Sequence, residues 1–452
     1  MTHLPRGVVP AVLAATIAFG TWSLLLPVMP LAAVDAGAST STAGFTVGSF
    51  MAATVLAQLG TPMLLSRFDF RPIMIAGCGF LGLPCLALLV TAGSVTSMTI
   101  VSAARGVGFG LLTVSSSALL PHLVPHTDRG RFLGVQGACI GAVQAISLPL
   151  GLHLYQVGGV ALVAVVACAS NVGVSLALLR VPSVIARESS LDEAGSLPPD
   201  EAGSLPPAIT MSRLTLACVC IASAGSTYGA VVALLPLPDS PQSTRASFML
   251  AVVPIATILG RLVGGRTPPS SSTRTLSIAA LCCAAGLGAL PIVGISTGVL
   301  QLIAAALSAA VFGLGLGLIM NISIVVAFAS VPDSRLGVAS AAWNFSFDAG
   351  IGSGSAIAGI AVDTTSFSNT YIAFALLAGS TAAAPILFRH RRAHDAPSGE
   401  PALTSAPTRT KPSTNRQEDN VEDNESHCSP AHPGPTTSTS DKPRPLPGSA
   451  PR

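Results

Sequence analysis

The chain has 452 residues, of which 50% are hydrophobic and only 10% charged, with a mean hydropathy of +0.66. A soluble domain carries about 25% charged residues, so a chain this long could not cover its apolar surface in water, and lipid must be its main solvent. The net charge of +3 is small and unevenly placed, so by itself it says nothing about nucleic acid.

Spanning about 30 Å of hydrocarbon takes about 20 apolar residues. Stretches of that kind lie near 8–30, 46–65, 72–92, 97–120, 132–153, 158–179, 213–236, 247–265, 275–296, 299–322, 336–360 and 370–388. With the N-terminus cytoplasmic, the arginines at span ends and in loops, from Arg6 to Arg392, fall on the cytoplasmic side. Arg245 alone falls on the other. That asymmetry sets the orientation and checks the count of twelve. The first span is read as a retained helix, because its apolar stretch is too long for a signal peptide.

Between the sixth and seventh spans lies the tandem repeat Asp192–Pro199 and Asp200–Pro207, each copy reading DEAGSLPP. Acidic, proline-rich and poor in large apolar side chains, residues 181–212 read as a flexible cytoplasmic linker. The tail, residues 391–452, is expected to be disordered and cytoplasmic on the same grounds. The chain thus divides into a six-helix bundle at 1–180, the linker, a second bundle at 213–390 and the tail.

Internal similarity supports two halves. Val124-Pro125-His126-Thr127-Asp128-Arg129 precedes Gly134 in the fifth span, and Val331-Pro332-Asp333-Ser334-Arg335 precedes Gly337 in the eleventh. Aligning Gly134 with Gly337 places Gly151 on Gly354. Two similar bundles facing each other leave a cavity near the midplane, and rocking one against the other opens it to alternate sides.

These features resemble the major facilitator superfamily over about residues 8 to 390. Ser66-Arg67-Phe68-Asp69-Phe70-Arg71-Pro72 is similar to a degraded form of the family's loop motif. Arg67 and Arg71 stand at its basic positions, and Asp69 stands where a glycine is usual, so these three are candidates for gating. Arg105-Gly106-Val107-Gly108-Phe109-Gly110 resembles the family's fourth-helix arginine motif. Gly137, Gly141, Pro149 and Gly151 resemble the Gly/Pro motif of its exporters. Ala341 to Gly350 is similar to the eleventh helix of bacterial sugar-efflux-like and drug-efflux-like members. The resemblance implies an all-α membrane protein of twelve transmembrane helices in two pseudo-symmetric bundles.

Every glutamate lies in the linker or the tail, and among the aspartates only Asp348 falls deep within a span. A charge at the bilayer centre costs about 2.5–3.5 kcal/mol, so such a group faces protein or water. Asp348 is therefore a candidate for proton coupling, against the plainer reading of a carboxyl in a fixed polar network. Arg105, the one deep basic residue, is the second candidate. It either meets an anionic group or carboxylate, or ties helices together through backbone carbonyls. Asn344 lies one turn before Asp348 on the same face. Asn321, Tyr228, Trp22 and Gln58 lie at cavity depth on their spans, and each is weighed against a packing role. The pairs Gly106 and Gly110, Gly137 and Gly141, and Gly350 and Gly354 are four apart and read as close helix contacts.

Eight of the nine cysteines fall in apolar runs and read as packing. His122 and His126 have no third ligand, so no metal is expected, and no cofactor beyond a proton gradient. No paired catalytic groups are evident, so no enzymatic activity is expected. The function read from the chain is secondary active transport, as proton-coupled export of a small organic solute by an antiporter in the plasma (inner) membrane. Both termini are placed in the cytoplasm. Its partners are the lipid bilayer and the small-molecule substrate, without nucleic acid, and the expected state is a monomer. A proton-coupled importer is the near alternative. A transporter-like sensor or membrane-embedded enzyme is the alternative from another class.

Overall fold

The computed structural model describes residues 8–91, 93–123, 129–179, 207–268, 271–331 and 336–383, all within the unit Met1–Pro397. Among these residues the structure is all helical. Ten helices are long and apolar enough to cross a membrane. One of them, Val135–Leu178, is 44 residues long. It breaks at Gly158 and Gly159, where φ at Gly159 is +63°. That left-handed backbone is cheap only for glycine, so the chain turns there and the long helix is two spans. The helix Phe367–Thr381 completes twelve.

In chain order the helices are α1 (Val8–Asp35), α2 (Thr40–Leu65), α3 (Phe70–Thr91), α4 (Val95–Leu123), α5 (129–157), α6 (160–178), α7 (Pro207–Leu234), α8 (Ala246–Gly264), α9 (Ser272–Ile295), α10 (Gly298–Phe328), α11 (Leu336–Thr364) and α12 (Phe367–Thr381). Helix α7 begins at Pro207, inside the stretch read from sequence as linker. The remainder of that stretch and the tail lie outside the described residues. The motif segments at Val124–Asp128 and Pro332–Arg335 lie outside them too.

Prolines set the irregularities. Helix α1 loosens at Leu26 and Pro27, because a proline has no N–H to continue the ladder. Helix α3 tightens to a 3-10 turn at Leu83–Ala87, with Pro84 in its first turn. Helix α9 is interrupted before Leu290, with Pro291 next. Ser39 and Ser366 cap α2 and α12 by accepting from Thr42 N at 3.3 Å and Asn369 N at 3.2 Å.

Large apolar side chains such as Leu56, Leu59, Val90, Ile295 and Val299 point outward. In water they would aggregate; in lipid they are solvated, and the chain is a multi-pass membrane protein. Apolar burial drives no association between helices in lipid, so close packing must do so. The glycines show how. A Cβ added at Gly106 would stand 2.1 Å from Phe50 O, and one at Gly110 would stand 2.5 Å from Thr54 O. Helix α4 therefore lies directly on α2. Gly313 and Gly317 repeat this arrangement, at 2.4 Å from Val253 O and 2.1 Å from Thr257 O, laying α10 on α8. Gly350 and Gly354 seat α11 on Ala222 and Ser226 of α7.

One expected pair does not hold. Gly141 meets Ile258 of α8 at 2.8 Å, but no described atom lies within 4 Å of a Cβ at Gly137. Among the described residues Gly137 therefore makes no close helix contact.

Candidate functional site

The first six helices meet the last six along α2 and α11, which run antiparallel. Gly359 packs on Thr40, Gly44 on the backbone of Ser355, and Gly352 on Met51. At the far end Asp363 Oδ1 and Oδ2 accept from Thr40 N at 3.1 Å and Ser41 N at 2.8 Å. These are orphan donors of the first turn of α2, satisfied from across the interface.

The contact continues as far as Asp348. This residue is 8% exposed, and its Oδ2 accepts from Gln58 Nε2 at 2.8 Å. The same amide nitrogen donates to Thr113 Oγ1 of α4 at 3.3 Å, while Thr113 donates to Gly110 O at 3.1 Å. An amide carries two hydrogens, so one side chain serves both acceptors. The partner of the carboxyl is thus a neutral group on the opposite bundle. Past this pair the helices part: Pro62 and Met63 are exposed, and nothing lies within 4 Å of a Cβ at Gly60. Asn344 is exposed at that open end, and its amide donates to Ser340 O of its own helix at 2.9 Å. It shares a face with Asp348 without joining its network. Asp348 and Gln58 therefore stand at the limit between closed and open interface.

Arg105 lies elsewhere, within the first six helices. It is 2% exposed, donates from Nη2 to Thr21 O of α1 at 3.4 Å, and sits 5.3 Å from the centroid of the Phe50 ring. It does not pair with Asp348. Trp22 is stacked on Phe109 at 5.1 Å, with Phe19 edge-on to both. Trp22, Phe50, Ser102 and Arg105 border a small cavity.

The other candidates are scattered. Tyr228 is buried in α7. Asn321 packs against Gly264 of α8, with its carbonyl oxygen buried and unpartnered. Arg67 is exposed, and Asp69 holds the N-cap position of α3 without making the cap bond. Arg71 donates to Leu179 O at the end of α6 at 3.4 Å. No metal-binding cluster occurs among the described residues.

Sequence reasoning missed Asp363, Thr113 and Ser102. Asp363 looks like an ordinary residue at a helix end, and only the approach of α2 makes it a cap. Ser102 stands three residues before Arg105, on one face of α4, a signal that could have been used.

Twelve helices, a repeated glycine packing and a polar seam between the two sets define a polytopic membrane protein of two bundles. Residues 11–351 match the model of the Major Facilitator Superfamily, and the chain belongs to that family. No curated protein sequence matches it. Among solved structures it is similar to a peptide transporter POT mutant, with a TM-score of 0.66 at 12% identity over 86% of this chain and 95% of that one. A mutant of the nucleoside transporter NupG gives a TM-score of 0.64 at 12% identity, covering 84% of this chain and 99% of that one. A D-xylose-proton symporter gives 0.65 at 15% identity, covering 84% and 97% respectively. At these identities the structures speak to the fold. Family membership makes the chain a secondary transporter rather than an enzyme.

Proposed function

We propose that the protein is a proton-coupled exporter of a small organic solute, an antiporter of the plasma (inner) membrane with both termini cytoplasmic, working as a monomer by alternating access. The observation that carries this reading is the buried carboxyl of Asp348, held by Gln58 of the opposing bundle where the α2–α11 contact ends. With the arginine-rich side cytoplasmic, the closed end is the outer one and the open end faces the cytoplasm.

Rocking the bundles would break the hydrogen bond from Gln58 and expose Asp348 to the other side. A carboxyl in that place can release a proton on one side and take one up on the other. Its position, where closure begins, links protonation to which end is shut. The proton gradient supplies the driving force without a further cofactor. A fold neighbour named as a D-xylose-proton symporter supports proton coupling. Export is favoured by the Gly/Pro pattern of α5, where Gly141 meets α8.

The solute is to be found by comparing intracellular and external metabolites in cells with and without the protein. In proteoliposomes with an imposed pH gradient, Asp348→Asn should abolish gradient-driven transport of that solute and retain counterflow exchange. Driven transport that survives in Asp348→Asn removes this residue from coupling. Efflux from loaded cells against uptake into inverted vesicles tests the direction.

A further inference from the structure

We propose that the cavity beside Arg105 binds one negatively charged acceptor atom, either a chloride ion or one oxygen of a solute carboxylate. Its walls come from α1, α2 and α4, chiefly Trp22, Met29, Phe50, Ser102 and Arg105. Three of these residues bring polar groups that have no hydrogen-bond partner among the described residues: Trp22 Nε1, Ser102 Oγ and Arg105 Nε. All three are buried, at 3%, 1% and 2% exposure. An indole N–H and a guanidinium N–H can only donate, and a serine hydroxyl turns to donate where an acceptor is offered. The remaining wall hydroxyl, Thr46, already donates to Ala43 O at 2.7 Å. The residues around the cavity thus carry three unpaired groups able to donate, and apart from Thr46 the other side chains of its wall are apolar.

The charge points the same way. Arginine stays charged in proteins, and a buried charge is costly unless it is paired. Around Arg105 stand the Thr21 carbonyl, the Phe50 ring and the thiol of Cys85, whose own hydrogen is directed to Leu81 O at 3.6 Å. Among the described residues no carboxylate pairs with it. A water in the cavity would accept the hydrogen bonds and leave the charge uncompensated, whereas an anion satisfies both. Size selects the kind of anion. The space is small, ≈ 10 Å³, which favours a single acceptor atom over a polyatomic oxyanion such as sulfate.

The fold itself does not require these donors. The last six helices carry a matching apolar cavity, lined by Val231, Leu235, Met249, Val253, Ala309 and Phe312. Phe312 and Ala309 stand to Gly313 as Arg105 and Ser102 stand to Gly106. The first copy carries three unpaired hydrogen-bonding groups and a charge where the second has apolar side chains. The carboxylate form of the proposal rests on the transport reading above; the chloride form does not.

Trp22 supplies the probe, because the chain has only 2 tryptophans. Trp343, whose indole donates to Ser323 Oγ at 2.8 Å, is replaced by Phe in the purified full-length chain. Sodium sulfate holds the ionic strength constant while chloride, acetate or neutral acetamide is titrated. Chloride or acetate should change Trp22 emission saturably, and acetamide should not. Arg105→Gln should weaken the response about tenfold or more, and Ser102→Ala about threefold. If Arg105→Gln fails to fold, the anion-dependent rise in melting temperature is compared between the parent, Ser102→Ala and Trp22→Phe, and should shrink in both variants.

A response to chloride alone supports a resident ion, and acetate competing with chloride supports a site for solute carboxylate. The proposal is overturned if neither anion acts saturably, leaving a water-filled cavity. It also fails if acetamide matches acetate, or if the response survives both Arg105→Gln and Ser102→Ala unchanged. No gradient is applied, so failure here leaves the coupling role of Asp348 standing. Failure of Asp348→Asn to uncouple transport leaves the anion site standing.

Discussion

The two small cavities, one in each set of six helices, occupy equivalent places and have opposite chemistry. Both lie where an inner helix is laid on its neighbour by a pair of glycines: α4 on α2 through Gly106 and Gly110, and α10 on α8 through Gly313 and Gly317. The scaffold is shared because close backbone approach is what holds helices together in lipid. The walls differ because nothing in that approach fixes the side chains facing the gap. Ser308, on the wall of the second cavity, already donates to Gly286 O at 2.7 Å. The lesson is that duplication preserved the packing and released the lining. The same holds at the seam, where Asp348 and Gln58 of one crossing correspond to Ala145 and Arg261 of the other.

Making the second cavity resemble the first should be the most disruptive change. Phe312→Arg places a charge among apolar walls and should cost about 2.5–3.5 kcal/mol, read as a lower melting temperature in detergent and reduced membrane yield. The reverse, Arg105→Phe, should leave stability within about 1 kcal/mol, since replacing a buried charge by a well-packed apolar group is often neutral. If Phe312→Arg is tolerated as well as Arg105→Phe, the contrast between the cavities is wrong.

The shared scaffold predicts equal injury in both halves. Gly106→Val and Gly313→Val should each lose about 1–3 kcal/mol by overpacking against backbone, in the same melting assay. An effect in only one half would show that the glycine contacts are not equivalent.

The closed end of the seam offers a smaller test. Asp363→Ala removes the acceptor for Thr40 N and Ser41 N and should cost the closed state about 1 kcal/mol, as for other lost caps. Spin labels across the α2–α11 contact should then report a larger share of molecules separated at that end. An unchanged distance distribution would reduce Asp363 to a surface residue. Least of all, Gly137→Ala should be neutral or stabilising by up to about 1 kcal/mol, because nothing described stands within 4 Å of the new methyl. Gly141→Val should be harmful against Ile258.

Much of this architecture was legible in the chain. Hydropathy located the spans, with ends that miss by six residues at Thr40, Pro207 and Phe328, because crossing lipid imposes a length and a composition that no partner segment can supply. Asp348 and Arg105 stood out because ionisable groups are rare inside spans. Spacing alone marked the glycine pairs, and it failed at Gly137 because spacing shows that two residues share a face without showing that another helix meets it. Which groups touch was beyond it. Gln58 and Asp348, or Asp363 and Thr40, lie far apart along the chain and meet only through the antiparallel approach of α2 and α11.

The sequence by itself determined that the protein lives in lipid, crosses it repeatedly and repeats its own plan, since these follow from composition, length and internal similarity. Only the tertiary structure decided that Arg105 is not the partner of Asp348. It places the arginine between α1, α2 and α4, and the carboxyl at the seam between the two sets of helices. The physical reason is that a helix's sequence fixes its faces, whereas packing decides which faces meet.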